Sequence, residues 1–177
     1  ESSLKMQVDA DSSYTAQNTV LNGSLELSSA ADNQSAGTEV LSGSGRLELV
    51  AESGSLAFTA NLNDGFTGDL IAGGEGNSIE VKHGGYEGSG TLSAYAGGSI
   101  SFTGEHGGVR LLDGAVLRAD AESSLAAESF IFGDGAELLA DTEPYTGSSG
   151  AAVFAARDGS PVTGAELIDS IAAEVVT

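Results

Sequence analysis

The chain has 177 residues, enough for one substantial core, and carries 26 acidic against 6 basic side chains, a formal net charge of −20. Lys5, Arg46, Lys82, Arg110, Arg118 and Arg157 are scattered, which argues against nucleic acid and anionic membranes as partners, since both need clustered cations. With no cysteine there are no disulfides or thiolate sites, and no apolar run approaches the roughly 18 residues of a membrane helix.

The 26 glycines, 2 prolines and regularly spaced aliphatic residues suit many short strands joined by tight turns, not a disordered tail. Glu1-Ser2-Ser3-Leu4 does not read as a signal peptide, and the chain reads as a piece of something longer. Leu4-Lys5-Met6-Gln7-Val8 alternates apolar and polar residues, the period of a half-buried strand. Residues 9–18 are polar and turn-like, and residues 20–27 open the first full repeat. The alternation then recurs in Leu25-Glu26-Leu27, Arg46-Leu47-Glu48-Leu49-Val50, Ser55-Leu56-Ala57-Phe58, Ser78-Ile79-Glu80-Val81 and Ser99-Ile100-Ser101-Phe102, as strands of three to five residues.

These stretches share one spacing. Gly23-Ser24-Leu25, Gly45-Arg46-Leu47, Gly68-Asp69-Leu70, Gly90-Thr91-Leu92 and Gly114-Ala115-Val116 repeat a glycine followed two residues later by an aliphatic anchor, and Gly135 with Leu138 loosens it by one. Val20, Val40, Phe66, Tyr86, Val109 and Phe130 stand shortly before these glycines. A repeat of about 22 residues describes units that cannot bury their apolar faces alone and therefore stack. The expected fold is all-β, a right-handed parallel β-helix over residues 1–162, in which coils about 4.8 Å apart pair every backbone group above and below. Leu25, Leu47, Leu70 and Leu92 should then be vertical neighbours. The glycines should occupy corners, where positive φ is needed and a β-carbon would be costly.

Further matches support that register. Lys82-His83-Gly84-Gly85 and Glu105-His106-Gly107-Gly108 are 23 residues apart, and Asp113-Gly114 with Asp134-Gly135, and Ala119-Asp120 with Ala140-Asp141, are each 21 apart. After Tyr145 the repeat fades, although residues 151–155 read as one more strand and residues 157–161 as a turn. Residues 163–177 form a second unit: Thr163-Gly164-Ala165-Glu166 is a capping box, and Leu167, Ile168, Ile171, Ala172, Val175 and Val176 follow at helical spacing, so an amphipathic helix over 164–175 is expected as a cap on the last coil or a linker.

The phrases Gly88-Ser89-Gly90-Thr91-Leu92 and Gly65-Phe66-Thr67-Gly68-Asp69-Leu70, with the period, the acidity and the missing cysteines, resemble the passenger region of Gram-negative autotransporters, the type V secretion proteins, from about Val20 to Tyr145. The resemblance implies a β-helix carried to the cell surface by a C-terminal translocator barrel that anchors it in the outer membrane, this segment not itself being membrane-embedded. It implies adhesion, self-association or service as a stalk for an effector, with a host-cell surface protein, a glycan or a second copy as partner.

Each candidate site has a sharp and a plain reading. His83 and His106, one period apart, could share a metal with Glu80 and Glu105, or else stand as solvated corner residues, with Lys82 and Glu105 a cross-coil ion pair. Asp113 over Asp134, and Asp120 over Asp141, could hold Ca²⁺; the expected reading is again solvated corners. Gly73-Gly74-Glu75-Gly76-Asn77-Ser78-Ile79-Glu80-Val81 approaches a calcium-binding nonapeptide but has Ser78 where the ligand Asp belongs and Glu80 where an apolar residue belongs, so it reads as a glycine-rich turn. Gly84-Gly85 and Gly97-Gly98 are likewise turns, without the Lys-Ser/Thr that follows a phosphate loop. No metal, cofactor or catalytic residue is therefore assigned. A polysaccharide hydrolase or lyase needs converging carboxylates or clustered bases, and the expected protein is not an enzyme. Phe58, Phe66, Tyr86, Tyr95, Phe102, Phe130, Phe132 and Phe154 are expected to stack in the core, leaving Tyr14 and Tyr145 for exposed contacts.

Overall fold

A computed structural model of the chain describes residues 2–62, 65–104, 107–119, 123–132, 136–140, 153–155 and 161–162. The chain winds as a parallel β-solenoid of about six turns, about 22 residues each, with no helix among the described residues. The expected helix over 164–175 lies outside them.

Three walls build each later coil. The first has seven strands in the order β1 (Ser3–Gln7), β3 (Ser24–Ser28), β5 (Arg46–Leu49), β7 (Asp69–Gly73), β10 (Thr91–Tyr95), β13 (Val116–Ala119) and β16 (Glu137–Ala140). The second stacks β2 (Tyr14–Leu21), β4 (Gln34–Gly43), β6 (Leu56–Asn61), β8 (Ser78–His83), β11 (Ser99–Phe102), β14 (Ser124–Ala126) and β17 (Val153–Ala155), and ends where β18 (Pro161–Val162) pairs antiparallel with β17. The third holds only β9 (Tyr86–Gly88), β12 (Val109–Leu111) and β15 (Phe130–Phe132).

In the early coils the second wall runs on in strands of eight and ten residues, longer than the three to five expected. A bridge between Gly43 and Phe66 marks where the third wall later separates. The supposed turn over residues 9–18 becomes strand from Tyr14 onward, because Tyr14 to Ala16 pair with Ala36 to Thr38 in the coil above. Polar composition alone misled there: an outer strand face accepts polar side chains without leaving the ladder.

Side chains alternate in and out along each strand, so register carries the core. Leu4, Leu25, Leu47, Leu70 and Leu92 are successive partners, as the spacing predicts, and the column continues to Leu117 and Leu138. The expected anchor Val116 is corrected by one residue: it pairs with Thr91 and Glu137 and is half-buried, while Leu117 is buried. The cause is a longer turn before β13, closed by Ala115 N–H donating to Leu112 O at 3.0 Å and turned by Gly114 at φ +79°. A second inward column, Ala36, Phe58, Ile79, Ile100 and Leu125, lines the second wall, and Tyr86, Val109 and Phe130 line the third. Each leucine hidden this way contributes about 1.5–3 kcal/mol before chain entropy is set against it.

The repeat glycines correct a second expectation. Gly23, Gly45, Gly68 and Gly90 are not among the residues of positive φ; among the described residues those are Gly43, Gly74, Gly76, Gly84, Gly97 and Gly114, with Asn33 and Ala96. What demands glycine in the column is the coil beneath. A β-carbon on Gly45 would strike the carbonyl oxygen of Gly23, one on Gly68 that of Gly45, and one on Gly90 that of Gly68. The first two of those oxygens are ladder acceptors: Arg46 N–H donates to Gly23 O at 2.8 Å and Asp69 N–H to Gly45 O at 2.9 Å.

Gly68→Ala is therefore expected to cost about 3 kcal/mol or more, because backbone cannot give way there. Gly114 faces open space, so Gly114→Ala should cost only the left-handed strain of about 1–2 kcal/mol. Denaturant midpoints of the two variants check the order, and equal losses would refute the close-approach account.

Candidate functional site

The third wall differs from the other two in being short and recessed. Its strands have the pattern inward, outward, inward, so that Tyr86 and Val109 point into the core and Glu87, Arg110 and Ile131 form an outward column one coil apart. Paired glycines 84–85 and 107–108 lead into β9 and β12 with no side chains to build the wall outward. The result is a groove of about 940 Å³ lined by Phe66, His83, Glu87, Arg110, Leu112 and Ile131, among others.

Its surface is unusual for this chain. Leu112 is 38% exposed and Ile131 51%, two of the four large aliphatic side chains left exposed among the described residues. Arg110 lies between Glu87 and Ile131 in the register and is exposed. The ion pairs among the described residues use other cations: Lys5 with Glu26 at 2.7 Å, Arg46 with Glu48 at 2.8 Å and Lys82 with Glu80 at 3.9 Å. Among the described residues Arg110 makes no ion pair, and Glu87 is its register neighbour in the groove.

Tyr86 fixes the floor of this site. It is buried, and its hydroxyl lies 3.0 Å from Gly68 O and 3.2 Å from Thr67 O, sharing its one proton between them, while accepting from Gly90 N–H at 3.0 Å. The regular ladder is rerouted here. Thr91 N–H donates to the Asp69 carboxylate at 2.8 Å, leaving Gly68 O for the tyrosine. Burial pushes the Tyr86 phenol up to about 12, the nearby Asp69 charge adds to that, and the Gly90 N–H opposes it.

Asn77 performs a similar task at the corner between the first and second walls. Fully buried, it accepts from Leu56 N–H at 2.8 Å and donates to Gly73 O at 2.6 Å. Ser29, one of the other buried polar residues, donates to Val8 O at 2.6 Å and accepts from Ala31 N–H at 3.1 Å. Sequence reasoning saw Asn77 only as part of a glycine-rich turn. That reading of the turn agrees with Gly74 and Gly76, both at positive φ.

His83 is exposed at the end of β8, beside Asn61 in the register; His106 and Glu105 lie outside the described residues. Glu80 stands on the outer face of the second wall, accepting from the Thr103 hydroxyl at 3.0 Å. Asp113 is exposed in the turn before β13, and Asp120, Asp134 and Asp141 lie outside the described residues, although Ala119 pairs with Ala140 as the repeat predicts. Among the described residues no three His, Asp or Glu side chains gather into a metal site. Phe58, Phe66, Tyr86 and Phe102 are core residues, and Phe130 packs against them. Tyr14, expected at the surface, also packs against the core and bonds the Thr19 hydroxyl at 3.0 Å, because the strand it begins faces inward there. Tyr145 lies outside the described residues.

Two further depressions carry less. One of about 540 Å³ crosses the second wall's outer face over Thr15, Gln17, Ser35, Thr59, Asn61 and Lys82. Another of about 450 Å³ lies between Asp32, Glu52 and Glu75. Among the described residues no helix is long and apolar enough to cross a membrane. The chain matches no family model, no curated protein and no solved structure.

Tyr86→Phe should cost about 1–3 kcal/mol, since Gly68 O and Gly90 N–H lose a buried partner. The sign of the pH dependence follows from a phenol at 10.0 when unfolded and about 12 in the fold: the tyrosine's contribution is whole below pH 10 and is lost as pH rises toward 12. Unfolding midpoints across that alkaline window should fall in the native chain more steeply than in Tyr86→Phe; parallel curves would contradict the assignment.

Proposed function

We propose that this chain is a non-catalytic, surface-displayed segment of a right-handed β-helical passenger, acting in adhesion or self-association at the outer surface of a Gram-negative bacterium. The observation that carries the reading is the third-wall groove, where Arg110 stands between Glu87 and exposed Ile131 in the register, with exposed Leu112 lining the same groove, on a molecule of net charge −20. Apolar area removed from water supplies the attraction, and a single cation within it selects what docks. The partner is a host-cell surface protein, a glycan or a second copy.

A binding use is favoured over catalysis by the makeup of the groove. Among the described residues its ionisable lining is one carboxylate, Glu87, one guanidinium, Arg110, one imidazole, His83, and the buried Tyr86 phenol. A glycosidase needs two carboxylates facing each other across the scissile bond. The resemblance to autotransporter passengers supplies the route to the cell surface, with a C-terminal barrel as anchor.

The experiment pairs sedimentation at high protein concentration with binding of the purified chain to host-cell and glycan arrays. One of the two assays should be positive, and the double variant Arg110→Glu with Ile131→Asp should weaken it at least about tenfold, on the order of 1.4 kcal/mol. A chain silent in both assays is a passive stalk, and a double variant that binds as well as the native chain moves the contact away from the groove.

A further inference from the structure

We propose that the Asn22-Gly23 corner between β2 and β3 is a site of spontaneous backbone modification. The Gly23 amide nitrogen attacks Cγ of Asn22, a nitrogen–carbon bond forms, and the side-chain nitrogen leaves as ammonia, carrying the proton that Gly23 gives up. Water then opens the cyclic imide at either carbonyl. One opening leaves aspartate, and the other leaves isoaspartate, in which the main chain runs through the former side chain and is one methylene longer.

Three observations single out this asparagine. The chain has Asn18, Asn22, Asn33, Asn61, Asn63 and Asn77, and only Asn22 precedes a glycine, the residue whose missing side chain gives the attacking nitrogen its freedom. Asn22 is exposed, whereas other asparagines are held: Asn61 donates to Glu39 O at 2.8 Å, and Asn77 is bonded at both ends of its amide. At Asn33 the equivalent nitrogen, that of Gln34, is engaged with Ser55 O at 3.0 Å.

The consequence is set by the place. Gly23 heads the column of corner glycines, and its carbonyl oxygen both accepts from Arg46 N–H and lies where a β-carbon on Gly45 would go. An extra methylene directly before it displaces that oxygen from the ladder, so the isoaspartate form has a loosened first coil. Simple conversion to aspartate adds a solvated charge and leaves the ladder intact.

The test incubates the folded 177-residue chain, the urea-unfolded chain, Asn22→Ser and Asn22→Asp in mildly alkaline buffer, then maps amide-to-acid conversion by peptide mass spectrometry and isoaspartate by enzymatic methyl transfer. In the folded chain Asn22 should convert at least about tenfold faster than Asn18, Asn61 or Asn77. Asn22→Ser should remove the isoaspartate mapped to residue 22 while leaving any formed at Asp-Gly pairs such as Asp113-Gly114, and ageing should take the native chain below fresh Asn22→Asp, which carries the charge without the longer backbone, by more than it lowers Asn22→Ser. Conversion in urea but not in the fold would overturn the proposal, as would folded-state conversion shared evenly among the asparagines. Aged protein melting with Asn22→Asp would overturn the claim about the ladder.

Discussion

The distance between successive coils governs this molecule. Backbone groups pair upward and downward at the spacing of neighbouring strands, about 4.8 Å, and at one corner the approach is so close that only hydrogen can replace a β-carbon. That corner is the column Gly23, Gly45, Gly68 and Gly90. Each coil inherits its register from the one below, so leucines placed once are placed in every turn, and an added residue is absorbed either as a bulge, as where Ala60 and Asn61 face Val81 and His83, or where no ladder runs. The step from Leu92 to Leu117 shows where. The extra length is taken up beside Gly114, whose surroundings are open, and the column resumes with Leu138 in register.

What sequence could reveal follows from this constraint. Period and alternation are properties of the ladder, so the solenoid, the leucine column and most strands of the first two walls were legible from Leu25, Leu47, Leu70 and Leu92. A constant interval points to Val116 and not Leu117 because it cannot register one more residue in a turn; the alternation of Val116, Leu117, Arg118 and Ala119 carries the inward position of Leu117. The φ values at the corners were misjudged for a different reason. Glycine answers two demands, left-handed backbone and absence of a side chain, and composition does not separate them.

The candidate site was less legible because it is built from exceptions to the repeat. Tyr86 is the register partner of Val109, yet its hydroxyl takes over a carbonyl that the ladder would have used, and the Asp69 carboxylate satisfies the N–H left behind. Neither role shows in a one-dimensional match. Arg110 and Ile131 were visible as residues but not as neighbours, since their column depends on the 23-residue and 21-residue steps that align Glu87, Arg110 and Ile131.

Charge is distributed in a way that follows from the same stacking. Outward residues recur one coil apart, so like charges are brought over one another: Glu26 lies directly below Glu48. Each is compensated locally, Glu26 by Lys5 in the coil beneath and Glu48 by Arg46 two residues away on its own strand. Exposed pairs of this kind add little to stability, but they consume cations in a chain that has six. Lys5, Arg46 and Lys82 are spent in this way on the first two walls. Arg110 stands on the third wall, where the paired glycines thin the surface and Leu112 and Ile131 stay exposed, so the place where the wall is thinnest also joins apolar area to a positive charge. A uniformly acidic solenoid repels its own kind along its length, and a contact surface on it has to be local and of opposite character, as this groove is.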